Sequence, residues 1–359
     1  MTDWSQLPYD LVELIANQLF DVVDFLSFSA VCRYWRLVYL NKNWIPSHHF
    51  PWLMLGEYTE GDVSIIQFLS LTRFKVYNLP VPEANGCPCW GTCHGWVVTL
   101  SQGFPIRLVN PITRVCFNLP QHSTLRSRGW DCWAEFDWFA VIQNVRVLKF
   151  RDEFVTMLMY DQNRSLAFAR HGDGAWTSVL SSIPVHVLNV VSFKDKILAL
   201  TRGGILMLID IDGPDCPRAV RIASPPKNDG KGLQGIYLVE SSENLLLVFR
   251  YFYWNVVNFE VYKFDFFEMK WMPLMDLGNN FLLMDTYSCT SVSACGYFKP
   301  NFIYFAKHNL VSLMLHRREP GVQNMIVYNI EDQSIASIQI NSNPATGYTC
   351  PVWTTPALW

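Results

Sequence analysis

The sequence predicts a mainly β fold, a ring of short sheets behind a small helical module, and three observations carry that expectation. Hydrophobic residues make up 50% of the 359-residue chain and aromatic residues 15%, while charged residues are 16% against an average of about 25%, so much surface must be buried. Apolar residues recur at helical spacing through the first 40 or so positions. After Phe50 the texture changes to short apolar runs broken by turn residues, and that unit repeats along the chain.

The helical segment begins at "LPYDLVELIANQLF". Pro8 just before Asp10 resembles a helix entry, with an acidic residue near the positive end of the helix dipole. A first helix is expected from about Asp10 to Phe20, with Leu11, Leu14, Ile15 and Leu19 on one apolar face. Asp24 is expected to cap a second helix carrying Phe25, Leu26 and Phe28, and "AVCRYWRLVYL" continues with Val31, Trp35 and Val38 at helical intervals. A unit this small cannot readily stabilise itself, and exposing about six large apolar side chains forgoes roughly 1.5 to 3 kcal/mol each. The chain's own C-terminal domain or another protein should therefore cover them.

"LPYDLVELIANQLF...DFLSFSAVCRYWR", about residues 4 to 40, resembles an F-box, in which a Leu-Pro pair, a helical Leu/Ile series, a Val-Cys pair and a Trp recur in this order. The resemblance implies the Skp adaptor of cullin-RING ubiquitin ligases as partner. Leu7, Pro8, Leu11, Ile15, Leu19, Val31, Cys32 and Trp35 occupy the motif positions, some packing within the module and others touching the adaptor. Ser27 and Ser29 stand where related plant F-boxes often carry arginine, a departure that bears on polar rim contacts more than on the apolar core.

The repeating remainder supplies six strand–turn–strand units: "FLSLTRFKVYNLP", "IRLVNPITRVCFNLP", "LAFARHGDGAWTSV", "ILMLIDIDGPDCPRAVRI", "FEVYKFDFFEMKWMPL" and "MIVYNIEDQSIASI". Asn110-Pro111 starts a tight turn, Gly172 and Gly174 tolerate positive backbone angles, and Gly203-Gly204 lets two strands fold back closely. Further strands lie upstream in "GWVVTL", "VTMLMY", "KILALT", "NLLLVF" and "NFIYFA", giving three or four per unit. Six hairpins over about 310 residues imply a period near 50, the length of a propeller blade, and stacked blades bury both faces of each sheet. A propeller is favoured over a pair of β-sandwiches or a large barrel.

From residue 50 to 359 the chain is similar to the KIB-type domain of plant F-box proteins. Segments that carry the likeness include "HGWVVTL", "LVNPITR", "FKDKILALTRGGILMLID", "YLVESSENLLLVFRY", "SVSACGYF" and the closing "PVWTTPALW", matched in order. The two resemblances together imply a kelch-like β-propeller of about six blades preceded by a small three-helix F-box. The boundaries are an F-box helical module over 1–45 and a KIB-type β-propeller domain over 46–359. They also imply a non-catalytic adaptor that presents an unknown protein substrate to a ubiquitin ligase.

Chemistry of other kinds is weakly signalled. The balance of 28 Lys+Arg against 31 Asp+Glu, net charge -3, provides no basic field for nucleic acid or an anionic membrane. No apolar run reaches membrane-span length and MTDW lacks a secretory layout, so residence in the cytoplasm and/or nucleus is expected. The ten cysteines are read as reduced thiols, with Cys32, Cys116, Cys132, Cys289 and Cys295 as small buried hydrophobes. "CPCWGTCH" puts Cys87, Cys89, Cys93 and His94 within eight residues, but Cys87-Pro88-Cys89 leaves too little chain to aim both sulfurs at one zinc ion. Phosphate-binding glycine patterns, nucleophile elbows and H-E-x-x-H are missing, so neither a cofactor nor a catalytic residue is expected.

Two aromatic clusters remain. Trp130, Trp133, Phe136, Trp138 and Phe139 are read as core. Tyr251, Phe252, Tyr253 and Trp254 are the candidate partner-binding residues, because four consecutive aromatics on a strand cannot all face inward. Against the ligase reading stand a stand-alone propeller, lectin-like or scaffolding, and a metal-dependent or redox enzyme built on "CPCWGTCH".

Overall fold

The computed structural model describes residues 4–19, 21–40, 50–84, 89–91, 94–100, 106–125, 142–161, 165–181, 186–213, 216–227, 230–254, 256–294, 298–306, 324–340 and 351–356. Three short helices come first: α1 (Tyr9–Ala16), α2 (Val22–Ser29) and α3 (Arg33–Leu40). Strands follow in chain order as β1 (Trp52–Glu60), β2 (Val63–Ser70) and β3 (Lys75–Pro80); β4 (Cys89–Gly91), β5 (Val97–Leu100), β6 (Ile106–Val109) and β7 (Cys116–Asn118); β8 (Ile142–Phe150), β9 (Glu153–Tyr160), β10 (Ser165–Arg170) and β11 (Thr177–Ser178). Then come β12 (Leu180–Ser181), β13 (Val187–Phe193), β14 (Lys196–Thr201), β15 (Leu206–Asp210) and β16 (Arg218–Ala223); β17 (Leu233–Ser241), β18 (Asn244–Tyr253), β19 (Val256–Asp265) and β20 (Lys270–Pro273). The last are β21 (Asn280–Met284), β22 (Cys289–Ser293), β23 (Phe302–Ala306), β24 (Asn324–Asn329), β25 (Ile335–Gln339) and β26 (Val352–Thr354).

The described strands pair into six sheets, the blades of a propeller. Blade one is β26-β1-β2-β3, so the C-terminal strand joins the first blade and closes the ring, with Trp52 opposite Thr354 and Met54 opposite Val352. Each of the six hairpins predicted from sequence is an antiparallel strand pair of a different blade: β2–β3, β6–β7, β10–β11, β15–β16, β19–β20 and β24–β25, the outermost pair in every blade but the fourth, where β12 adds in parallel outside β16. Blade six departs from the simple pattern. There β21 pairs with β22 antiparallel and with β23 parallel, so one extra strand is inserted behind the inner strand.

Alternating side chains explain how the ring holds together. Six apolar clusters each lie between two neighbouring blades; Phe168 and Met157 meet Ile197 and Met207 between blades three and four, for example. Trp353 on the closing strand packs with Phe281 and Phe298 between blades six and one. At Gly91, on inner strand β4, any Cβ would collide with Val352, so glycine is what lets blade two approach the closing strand.

Three local expectations are corrected. The first helix runs only from Tyr9 to Ala16, because past Asn17 the hydrogen bonds tighten to three-residue spacing, the Gln18 N–H donating to the Ile15 carbonyl and the Leu19 N–H to the Ala16 carbonyl. The second helix is capped by Asp21, whose side chain accepts from the Val23 N–H, while Asp24 sits in the first turn. Cys116 is exposed and Cys32 and Cys289 are half-buried; Cys116 lies on β7, the outermost strand of its blade, where no neighbouring strand covers it. Cys132 and Cys295, the cluster from Trp130 to Phe139, and residues 41–49 lie outside the described residues.

Candidate functional site

The helical module is amphipathic in a way that its sequence periodicity does not fully reveal. Its inward face is Val12 and Ala16, which pack with Phe25 and Phe28, and Trp35 lies tilted against Phe28 at 4.7 Å between ring centroids. Leu11, Leu14 and Ile15 point away, exposed at 46%, 58% and 37%. Val31 is exposed as well, whereas Leu7, Leu19 and Trp35 are half-buried against the module's small core. Pro8, Leu7 and Cys32 line one shallow cleft with Ser5, Arg33 and Tyr34, and the Cys32 sulfur accepts from the Trp35 N–H at 3.4 Å. The eight motif positions thus divide among an inner core, a cleft and an outward apolar face.

One buried carboxylate joins the module to the propeller. Asp21 caps α2 with one oxygen, at 2.9 Å from the Val23 N–H. Its other oxygen accepts from the Ser70 hydroxyl at 2.7 Å and the Thr72 hydroxyl at 2.8 Å, both at the β2–β3 turn. Arg73 from the same turn pairs with Asp24, and Val22 is buried among Trp52, Met54 and Phe68. The helices are therefore seated on blade one while the Leu11 face stays uncovered by any described residue of this chain.

Strand register assigns the two faces of the ring. Thr354, Trp52, Ser70 and Lys75 form one row across blade one, so the Asp21 anchor lies at the same end as Thr355. Thr355 lines a cup of about 690 Å³ at the ring's axis, together with His94, Arg151, Lys194, Glu240 and Ser242. The cup is blind. The turn between β21 and β22 crosses the axis: Arg146 donates to the Tyr287 carbonyl at 3.1 Å, Asn189 to the same oxygen at 3.4 Å, and the Tyr237 hydroxyl to the Thr286 carbonyl at 3.3 Å. Blades three, four and five thereby grip a plug that belongs to blade six.

The cup's charges are mixed. Arg151 pairs with Asp212 and Lys194 with Glu243, both at 2.9 Å, and burial raises the Glu240 carboxyl above its usual range against the opposing influence of His94. Among the described residues no group of three or more His, Cys, Asp or Glu side chains could hold a metal ion. Of the cysteine motif, Cys89 is buried on β4 beside Glu57, and Cys87 and Cys93 lie outside the described residues.

The candidate aromatic residues lie on the opposite face. Ser241 pairs with Asn244 at the cup end of β18, while Tyr253 pairs with Val256 at the far end, about 30 Å away for ten residues. Exposure rises along the tip: Tyr251 is half-buried, Phe252 is 39% exposed, Tyr253 57% and Trp254 83%. Trp254 takes a left-handed backbone, φ +48°, unusual for a bulky residue. Sequence reasoning missed a second exposed patch, Phe266, Phe267 and Met269 at the β19–β20 turn, and it missed the Asp21 anchor. The acidic residue immediately before the second apolar series was the available signal for the anchor.

Fold and site together define a β-propeller carrying a docked three-helix module with a free apolar face. The model of the KIB1-4 beta-propeller family matches residues 68–329, and the chain belongs to that family. It is 25% identical over 342 residues to F-box protein SKIP23 of Arabidopsis thaliana, covering 82% of this chain and 81% of that protein. It is 22% identical over 372 residues to F-box protein At2g17036 of Arabidopsis thaliana, covering 90% and 88%. The relatives' F-box names agree with the helical module found at this N-terminus.

Proposed function

We propose that this chain is the substrate-recognition subunit of a Skp-cullin-F-box ubiquitin ligase, with residues 1–45 docking on the Skp-type adaptor and residues 46–359 capturing a protein substrate. The single observation that carries the reading is the division of labour within α1. Val12 and Ala16 hold the module together and Asp21 ties it to blade one, yet Leu11, Leu14 and Ile15 remain outward. Leaving three such side chains in water forgoes roughly 1.5 to 3 kcal/mol each relative to full burial, so a partner of complementary apolar surface is the natural cover. F-box proteins among the relatives support the adaptor as that partner.

The chain itself carries no ligase chemistry in this reading; ubiquitin transfer belongs to the cullin and its associated subunits, and the complex works in the cytoplasm and/or nucleus. Anchoring matters to the mechanism because a module seated on blade one holds whatever the propeller binds at a set distance from the cullin arm. The aromatic tip at Trp254 and the module lie on opposite faces, which leaves both surfaces accessible at once.

Proximity labelling with the full chain and with a chain lacking residues 1–45 tests this reading. The full chain should label the adaptor and a substrate, and the truncated chain the substrate alone. Labelling of the same partners by both, with no Skp-type adaptor among them, would instead describe a stand-alone propeller scaffold.

A further inference from the structure

The seat on blade one divides a single side chain between two jobs. One oxygen of Asp21 accepts from the Val23 N–H and caps α2, while the other accepts from the Ser70 and Thr72 hydroxyls of the propeller. Asp21 is buried, so without those two donors its carboxylate would keep only the cap and the Arg73 side chain 3.9 Å away. A buried charge short of partners is costly, and lifting α2 off the blade returns it to water. The two hydroxyls therefore hold the seat closed.

The helix that carries this carboxylate is itself shared. Phe25 and Phe28 turn into the module's core against Val12 and Ala16, whereas Val22, with Val23 and Leu26 beside it, turns to Trp52, Met54 and Phe68. Leu11, Leu14 and Ile15, on α1, take part in neither cluster. The seat and the outward face of α1 thus lie on different elements, and one can be broken while the other stays intact.

We infer that Asp21, Ser70 and Thr72 are positioning residues that decide which lysines receive ubiquitin, while adding nothing to the capture of adaptor or substrate. The inference rests on the ligase reading above. In that reaction a neutral lysine amine attacks the thioester that carries ubiquitin, the isopeptide bond forms as the thioester breaks, and the thiol leaves with the proton the amine gives up. The rate follows how often an amine meets the thioester in the right orientation, so a seated module favours the lysines on whichever face of the ring it turns towards the thioester. A module released from blade one would instead offer lysines of both faces at comparable effective concentration. Each face carries lysines that report the difference: Lys75, Lys149 and Lys194 stand at the module's end of the ring, and Lys227 and Lys231 beside the aromatic tip at the other.

The test assembles the full chain with the Skp-type adaptor, cullin, RING subunit, conjugating enzyme and ubiquitin, and maps by mass spectrometry which lysines of this chain become modified. Thr72→Glu sets a second carboxylate against Asp21. Val22→Asp puts a charge into the apolar part of the seat, at a helix start that accepts an acidic residue. Small-angle scattering should show both adaptor-bound variants more extended than the parent, with adaptor affinity within about twofold. The parent should be modified mainly on one face and the variants on both, the share of the leading lysine falling at least about threefold. Thr72→Ser keeps a hydroxyl at the seat and should keep the parent's pattern. A folded parent chain that does not bind the adaptor would overturn the ligase reading. With the adaptor bound, an unmodified or evenly modified parent, the parent's pattern in both variants, loss of that pattern in Thr72→Ser, or unchanged scattering would overturn this inference alone.

Discussion

The buried carboxylate of Asp285 accepts a hydrogen bond from the backbone N–H of Trp353 at 3.2 Å, joining the channel plug of blade six to the strand that closes blade one. The indole of Trp353 returns the contact by donating to the Met284 carbonyl at 2.9 Å. Asp285 also accepts from the N–H groups of Tyr287 and Ser288, at 2.7 and 2.6 Å, and from the Ser288 hydroxyl. One side chain thus shapes the plug and clasps the ring, since β26 itself contributes only three residues of pairing.

Asp285→Ala should therefore destabilise the propeller by roughly 2 to 4 kcal/mol, because several backbone and hydroxyl donors lose a buried partner at once. Urea unfolding followed by tryptophan fluorescence measures the loss. A pH effect accompanies it. Burial raises the Asp285 carboxyl above its usual range, against the pull of Arg146 and the Ser288 hydroxyl, so the folded chain keeps this proton to higher pH than the unfolded chain does. Its contribution to stability is full below the ordinary aspartate value of about 3.9 and is lost as pH rises through the folded value. Asp285→Asn should flatten that downward slope.

Asp21→Ala removes a helix cap and the anchor to Ser70 and Thr72 together. The cap alone is worth about 1 kcal/mol. Hydrogen exchange should speed up in residues 9–40 and change little in the blades, because the module's remaining seat on blade one is small, Val22, Val23 and Leu26 with the exposed Arg73–Asp24 pair. Uniform protection across both regions in the variant would mean that the anchor contributes nothing.

Trp254→Gly should separate stability from recognition. The left-handed backbone at Trp254 costs a bulky residue roughly 1 kcal/mol or more, and glycine relieves it, so the variant should be as stable as the parent or more stable by up to about 1 kcal/mol. Capture of the native partner should weaken by more than about 1.4 kcal/mol, a factor of ten. Thermal unfolding and pull-down affinity, measured on the same preparation, check the two directions.

Much of the ring was legible because turn chemistry and apolar runs mark outer hairpins, each a local event: "FEVYKFDFFEMKWMPL" needs only its own turn to become β19–β20. Inner strands are harder to read. β4 and β26 have three residues each, and β26 finds its partner β1 at the other end of the chain. The plug was invisible for the same reason: Tyr287 meets Arg146 and Asn189 only once the ring has closed.

In the helical module, periodicity found an apolar face but could not say which way it points. Val12 and Ala16, smaller than their leucine neighbours, are the residues that fit the tight helix packing, and the larger Leu11, Leu14 and Ile15 are left outside. Choosing Asp24 over Asp21 as the cap had a similar origin, since both precede apolar residues and only the blade-one hydroxyls distinguish them. The aromatic tip was legible from strand alternation, whereas Lys227, Lys231 and Glu260 join it only through tertiary packing.

Adaptor affinity of a Leu11→Asp, Ile15→Asp double variant, measured by calorimetry against the purified Skp-type adaptor, tests the central claim most directly. Both residues face outward, so the module and propeller should keep their circular dichroism and unfolding midpoint, whereas Leu7→Asp would disturb the half-buried core as well. The account predicts tight binding of the parent chain and a loss of at least about 2.7 kcal/mol, a hundredfold, in the folded double variant. Equal affinity of the two proteins, or no binding of the adaptor by the folded parent chain, would contradict it.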